Sequence, residues 1–113
     1  MSKIFFGVGI SIDGFIAGLN GSPTNPLGDG GTEIHQWLYR QKAFIDMLEM
    51  GDGGETGKDN DILDEIIDRT GANIMGKRMF EEGEGNWPEI APFHTPVYVL
   101  THQVRDPWER KGG

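Results

Sequence analysis

The sequence predicts an α/β protein with a mostly parallel central sheet, because three short apolar segments alternate with helical patterns along the chain. The segments span residues 3–12, 72–75 and 97–100. Strand, helix, strand, helix, strand is the order of consecutive βαβ units, whose strands run parallel in one sheet. A chain of 113 residues is long enough for one small core and too short for two, so we expect a single domain over residues 1–113.

The first apolar segment predicts a central strand. Residues 3–12 are almost continuously apolar, which is typical of a strand that helices cover on both faces. Gly7 and Gly9 weaken such a strand unless a packed helix or a flat ligand ring approaches the backbone, and the sequence leaves both explanations open. Residues 19–31 are polar and glycine-rich, so they predict a long surface loop of the kind that often carries function.

Helical patterns fill the rest of the chain up to the second and third strands. Thr32 is expected to cap a first helix, and residues 44–48 continue a similar apolar face in a second one. A third helix is expected to begin at Asn60 as its cap and to stop at Gly71, and residues 77–82 predict a short fourth helix. The apolar face of the third helix consists of Ile62, Leu63, Ile66 and Ile67.

The composition disfavours several classes of function. Ten Lys and Arg against eighteen Asp and Glu give a formal net charge of -8, which repels a phosphate backbone, so nucleic acid is not an expected partner. The sequence has no apolar run of about 18 residues, so we expect no membrane-spanning segment. Asp13 interrupts the apolar start without a small-residue cleavage site, and the chain has no cysteine. Both features predict a cytoplasmic protein.

The common nucleotide and metal motifs do not match. Gly57 and Lys58 resemble the end of a phosphate-binding loop, but Asp52 and Asp59 stand where that motif requires Gly and Ser or Thr. A dinucleotide fingerprint fails because Ile12 occupies the position of its third glycine. The three histidines are scattered, and without cysteine they do not predict a metal site.

A strand, turn and helix at residues 73–81 carry the strongest binding signal. Gly76 lets a ligand approach the backbone, the following helix N-terminus has free N–H groups with a partial positive charge, and Lys77 and Arg78 add cationic donors. This combination is typical of a phosphate site. It is equally typical of a plain turn with two solvated basic side chains, and these residues alone do not separate the two.

Three ordered motifs resemble one family. Residues 10–18 (ISIDGFIAG) are similar to an SLDGxIA segment, residues 74–80 (IMGKRMF) to an xMGRRTF segment, and residues 97–102 (VYVLTH) to a strand with a polar ending. Together they resemble the C-terminal reductase domain of riboflavin-biosynthesis deaminase-reductases and its stand-alone relatives. The resemblance implies a dihydrofolate-reductase-like three-layer fold around a mostly parallel central sheet. It also implies a C-terminally incomplete domain, since the family continues into further strands.

The same resemblance implies an NADPH-dependent reductase that transfers hydride to a small-molecule substrate, with 5-amino-6-(5-phosphoribosylamino)uracil as the default. Ser11 and Gly14 would line the substrate pocket. Asp13 would be the catalytic carboxylate that orients the substrate or relays a proton, the alternative being a turn residue that bonds to its own backbone. The residues expected to bind NADPH are Gly76, Lys77, Arg78, Thr101 and His102.

A non-catalytic interpretation stays open beside the enzyme. In this alternative the chain is a shortened relative that binds nucleotide, or its unpaired sheet edges pair with another chain, as in a homodimer.

Overall fold

The computed structural model describes residues 1–112 and combines short helices with two short strands. A 3₁₀ turn at Glu33–His35 precedes α1 (Gln36–Tyr39), α2 (Lys42–Met47) and α3 (Lys58–Arg69), after which come β1 (Asn73–Gly76), α4 (Lys77–Glu84) and β2 (Val97–Leu100). The second, third and fourth predicted helices and the last two predicted strands are confirmed, with shifts of a few residues at their ends. The protein therefore mixes helix and strand in the order expected of an α/β chain.

The strands β1 and β2 form a two-stranded parallel sheet. Asn73 pairs with Val97 at one end of the ladder, and Gly76 pairs with Leu100 at the other. Met75 is buried on one face of the sheet at 6% exposure. The opposite face is open to solvent, and its large side chains are Ile74, Tyr98 and Leu100. The parallel direction that the chain order predicted is thus confirmed for this pair.

The predicted central strand at residues 3–12 is wrong for this structure. The segment has neither helix nor strand and is almost wholly exposed. A strand requires a neighbour that supplies backbone donors and acceptors, and the two-stranded sheet consists of β1 and β2 alone among the described residues. Gly7 and Gly9 add backbone entropy that an extended segment must lose. The apolar pattern favours burial of the segment, but it does not supply the partner strand.

Two predicted helix caps are also wrong. Thr32 makes no capping hydrogen bond, and α3 begins at Lys58, after Gly57. Asn60 instead is a buried residue of α3, where its Oδ1 accepts a hydrogen bond of 2.7 Å from the Ala43 N–H of α2. Because Ala43 is in the first turn of α2, whose amides need acceptors, Asn60 caps α2 from the neighbouring helix.

The buried apolar core is small. Its members are Ala43, Met75 and Ala91. The solvent-accessible surface is 8728 Å², whereas a folded monomer of 12.5 kDa exposes about 6,200 Å². The exposed large apolar side chains include many of residues 4–16 and those on the open face of the sheet.

Candidate functional site

The candidate site lies where the two parallel strands end. Since Gly76 and Leu100 pair at the last position of the register, the chain leaves both strands at the same edge of the sheet. Lys77 opens α4 directly after β1, and Thr101 follows β2. The topology therefore brings the two predicted NADPH-binding segments side by side, although they are more than 20 residues apart in sequence.

A cavity of about 720 Å³ adjoins this edge. Lys77 lines it from α4, Val97 and Val99 from β2, and Thr101 from the residue after β2. Ligand pockets commonly combine a largely apolar wall with a few polar groups in this way. Of the five predicted NADPH-binding residues, Lys77 and Thr101 line the cavity, whereas the lining does not include Gly76, Arg78 and His102.

Gly76 leaves the start of α4 accessible. Its backbone is extended (φ −78°, ψ 159°) and no side chain caps the helix after it. A Cβ added to Gly76 would meet nothing within 4 Å. Since the first-turn amides of a helix lack intrahelical acceptors, the open space allows a ligand to approach the backbone at this point.

The two basic side chains of α4 have different surroundings. Lys77 Nζ lies 3.4 Å from Glu81 Oε1, and both side chains are about half exposed. An exposed pair of this kind contributes about 0–1 kcal/mol, so Lys77 can exchange its partner for a ligand at little cost. Arg78 is held more firmly, since its Nε donates to Glu82 Oε1 at 2.8 Å and its Nη2 donates to the Gly21 carbonyl at 3.3 Å. Arg78 therefore contacts the loop of residues 19–31.

The polar residues after β2 are solvent-accessible. Thr101 Oγ1 accepts a hydrogen bond of 3.0 Å from the Gln103 N–H, which leaves the hydroxyl hydrogen of Thr101 free to donate to a ligand. His102 is exposed. Thr101 is thus the member of this pair that can act inside the cavity.

The far wall of the cavity consists of residues that the sequence did not single out. Phe80 packs edge-to-face on Trp87 at 5.5 Å and on Trp108 at 6.5 Å, and Trp87 packs on Phe93 at 5.7 Å. Phe80, Trp87 and Phe93 are close in sequence, and Trp108 joins them from the C-terminal part of the chain. The spacing of Phe80, in α4, and Trp87, just after α4, indicates that these two rings can meet. It does not indicate that Trp108 joins them.

The predicted substrate residues form a separate group. Ser11 Oγ donates to Asp13 Oδ1 at 2.5 Å and accepts from the Phe15 N–H at 2.9 Å. Gly14 has a positive φ of 93°, which closes this turn. Asp13 therefore lies in a local turn, as the alternative interpretation of this residue predicts. Its hydrogen-bond partner is the Ser11 hydroxyl and not its own backbone.

Ser11 and Asp13 line a second cavity of about 480 Å³, together with residues of the 19–31 loop. This cavity and the first have no lining residue in common. The structure thus brings Ser11, Asp13 and Gly14 together with one another. It does not bring them to the cavity that contains Lys77 and Thr101.

Residues 1–112 contain neither a membrane-spanning helix nor a metal-binding cluster. None of the helices in this range is both long and apolar enough to cross a membrane. In the same range, no three His, Asp or Glu side chains converge in a way that could hold a metal ion.

No protein-family model matches this chain, and no curated protein matches it either.

Proposed function

We propose that the protein is an NADPH-dependent reductase with a dihydrofolate-reductase-like fold, of the type found in riboflavin biosynthesis. One observation carries this proposal: Gly76 and Lys77 leave β1 beside the point where Thr101 leaves β2, next to a cavity of about 720 Å³. The carboxyl edge of parallel strands is where α/β proteins bind their ligands. The default substrate is 5-amino-6-(5-phosphoribosylamino)uracil, by resemblance.

The residues at this edge fit the phosphate groups of the cofactor. Gly76 leaves its backbone open, Lys77 supplies a positive charge that is weakly paired, and Thr101 supplies a hydroxyl donor. The bound cofactor would supply the hydride chemistry, and the protein would bind and orient it. Arg78 would have to leave Glu82 to contribute, so we assign it the weaker role.

A non-catalytic nucleotide-binding module is the second candidate. It is favoured by the separation of the two cavities, since Asp13 and Ser11 line a different space from Lys77 and Thr101. A hydride can pass only between groups in contact, so a reductase requires the 19–31 loop and the first apolar segment to approach the β1–β2 edge. The hydrogen bonds from Arg78 to Gly21 and from Asn86 to Pro23 join the 19–31 loop to α4 and to the turn after it.

Self-association and a cytoplasmic location belong to the same proposal. The exposed apolar side chains of residues 4–16 and the open face of the sheet support a homodimer, because contiguous apolar surface is typical of interfaces.

Fluorescence titration of NADPH tests the binding step. We expect saturable binding by the wild-type chain and about tenfold weaker binding by Lys77→Ala, which is the loss expected for one charge-assisted hydrogen bond. Lys58→Ala is the matched control, because Lys58 also is the exposed first residue of a helix and should leave the affinity unchanged. Absence of saturable binding would overturn both candidate functions.

Oxidation of NADPH in the presence of the uracil substrate separates the two candidates. A reductase oxidises NADPH, and Asp13→Asn lowers its turnover while the NADPH affinity stays the same. Binding without oxidation would support the nucleotide-binding module and exclude the reductase with this substrate.

A further inference from the structure

The C-terminal strap, defined here as residues 103–112, closes one side of the large cavity. It has neither helix nor strand over this range, and residues 103–110 contribute to the lining of the cavity. Access to the cavity therefore depends on how this irregular segment is attached to the rest of the molecule.

The middle of the strap is attached to α4 by an arginine and a tryptophan. Arg105 Nη1 donates to Glu84 Oε2 at 3.0 Å. Its guanidinium lies 5.2 Å from the Phe80 ring centroid and 5.6 Å from that of Trp108, and the guanidinium of Arg110 lies 4.5 Å from the same Trp108 ring. Trp108 is exposed, so each of these cation–π contacts attaches the strap only weakly.

The end of the strap is attached to a different part of the molecule. The buried Ala91 donates its N–H to the Lys111 carbonyl at 2.9 Å. Next to it, His94 Nδ1 lies 2.9 Å from the Gly112 carbonyl oxygen, and His94 Nε2 lies 2.8 Å from the Met47 carbonyl oxygen at the end of α2. His94 thus joins the strap to α2 through its two ring nitrogens.

Both partners of His94 are carbonyl oxygens, which can only accept hydrogen bonds. A neutral imidazole has one N–H donor, so it can satisfy only one of them and turns a lone pair toward the other. The imidazolium cation has two donors and satisfies both. The bridge is therefore complete only when the ring is protonated.

The electrostatic surroundings agree with this protonation state. The Gly112 carbonyl, then the Met47 carbonyl, raise the pKa of His94 above its ordinary value of 6.5, Glu49 raises it further, and the loss of solvation opposes them. Charged groups on the three connected segments are Asp46 and Glu49 at and just after the end of α2, Glu89 before His94, and Arg105, Asp106, Glu109, Arg110 and Lys111 in the strap.

We propose that His94 is a pH-sensitive latch for the strap. The doubly protonated ring holds Gly112 and Met47 together, and loss of one proton releases one carbonyl and loosens the end of the strap beside the cavity. The latch consists of residues of this chain and does not depend on which ligand the cavity binds. It therefore does not require the reductase function.

The sign of the pH dependence follows from the direction of the shift. The folded protein holds the proton more tightly than the unfolded chain, so the contribution of the latch is complete below pH 6.5, the ordinary value. It is lost as the pH rises through the higher pKa of the folded state. The strap should accordingly be attached in mildly acidic solution and loosened in alkaline solution.

Nuclear magnetic resonance of the full chain tests the latch. We expect the His94 ring to titrate at a higher midpoint in the folded protein than the histidines do in the urea-unfolded chain. The Ala91 amide, which is bonded to Lys111, should change its chemical shift with the same midpoint. A folded midpoint at or below the unfolded one would overturn the proposal, and so would an Ala91 signal that does not follow His94.

Two variants complete the test. His94→Gln offers one amide donor group and does not titrate, so the Ala91 amide should lose its pH dependence between pH 5 and 9. His102→Gln is the matched control, because His102 is an exposed histidine outside the latch, and the Ala91 titration should persist in it. If His94→Gln does not fold, the wild-type titration decides the question alone. An Ala91 titration that survives in a folded His94→Gln protein would refute the latch.

Discussion

The β1–α4–β2 unit and the first 12 residues both have apolar strand patterns, but only the β1–α4–β2 unit contains paired strands. Met75 in β1 is 6% exposed, whereas Ile12 is fully exposed. Each strand of the unit has a parallel neighbour within the unit, and residues 3–12 have none among the described residues. An apolar pattern thus favours burial of a segment, whereas a strand forms only where its backbone groups find hydrogen-bond partners.

The two regions also differ in how they contact the helices. Helix α4 follows β1 without a loop. Phe80 of this helix packs against Trp87 and Trp108. The first 12 residues touch the helical part through single side chains, as where the Arg69 guanidinium lies 4.9 Å from the Phe5 ring centroid. Substitutions of equal size should therefore have unequal effects in the two regions.

The largest difference is expected from deleting one apolar side chain in each region. Met75→Ala removes a buried side chain from the sheet and should lower the free energy of unfolding by about 2–5 kcal/mol. Ile12→Ala removes a side chain that is already in water and should change it by less than about 0.5 kcal/mol. Urea unfolding followed by circular dichroism measures both. An equal loss in the two variants would mean that the first segment is packed after all.

A smaller difference is expected from adding one methyl group to a glycine in each region. A Cβ on Gly83 would lie 2.8 Å from ring atoms of Trp87, and Trp87 is itself held by Phe80 and Phe93. Overpacking of this kind costs about 1–3 kcal/mol, which outweighs the gain of about 0.4–1 kcal/mol from a stiffer unfolded chain. Gly83→Ala should therefore destabilise the protein.

Gly7→Ala is the matched substitution, because a Cβ there meets nothing within 4 Å. It should change the midpoint of thermal unfolding little or raise it slightly. A strong loss of stability in Gly7→Ala would indicate that another part of the chain packs against this backbone, as the sequence had suggested for a central strand.

The smallest effect concerns the contact between the first segment and α3. Phe5→Leu removes the ring beneath Arg69 and should cost about 0.5–1 kcal/mol, the value of an exposed cation–π contact. Phe6→Leu is the neighbouring control, since Phe6 is 88% exposed, and should be neutral. Chemical denaturation at low and high salt checks both, and identical curves for the two variants would show that the Arg69 contact does not stabilise the protein.

Much of the fold was predictable because its signals are local. The span of β2 is the one that the run Val-Tyr-Val-Leu predicts, and α4 starts directly after Gly76, where a strand end and a helix start meet. The caps were not predictable in the same way. Asn60 has the residue type of a cap, but it caps α2 through the Ala43 N–H. No local pattern indicates which of two packed helices an asparagine caps.

The candidate site was predictable in part for the same reason. Gly76 and Lys77 were predicted from a strand, turn and helix, and Thr101 from the family resemblance, and parallel pairing brings these strand ends together. Trp108 and His94 were not chosen as site residues, since Trp108 lies in a segment without periodicity and His94 acts through the carbonyls of Met47 and Gly112. Backbone acceptors have no residue type, so a sequence cannot reveal them.

The sequence by itself determined the helices, the two paired strands, their parallel direction and the negative charge, because these follow from composition and from patterns within a few residues. The tertiary structure alone decided that residues 3–12 stay unpaired, that Asp13 and Lys77 line different cavities, and that His94 bridges two carbonyls. Each of these depends on which distant backbone groups meet, and local side-chain chemistry does not encode that choice.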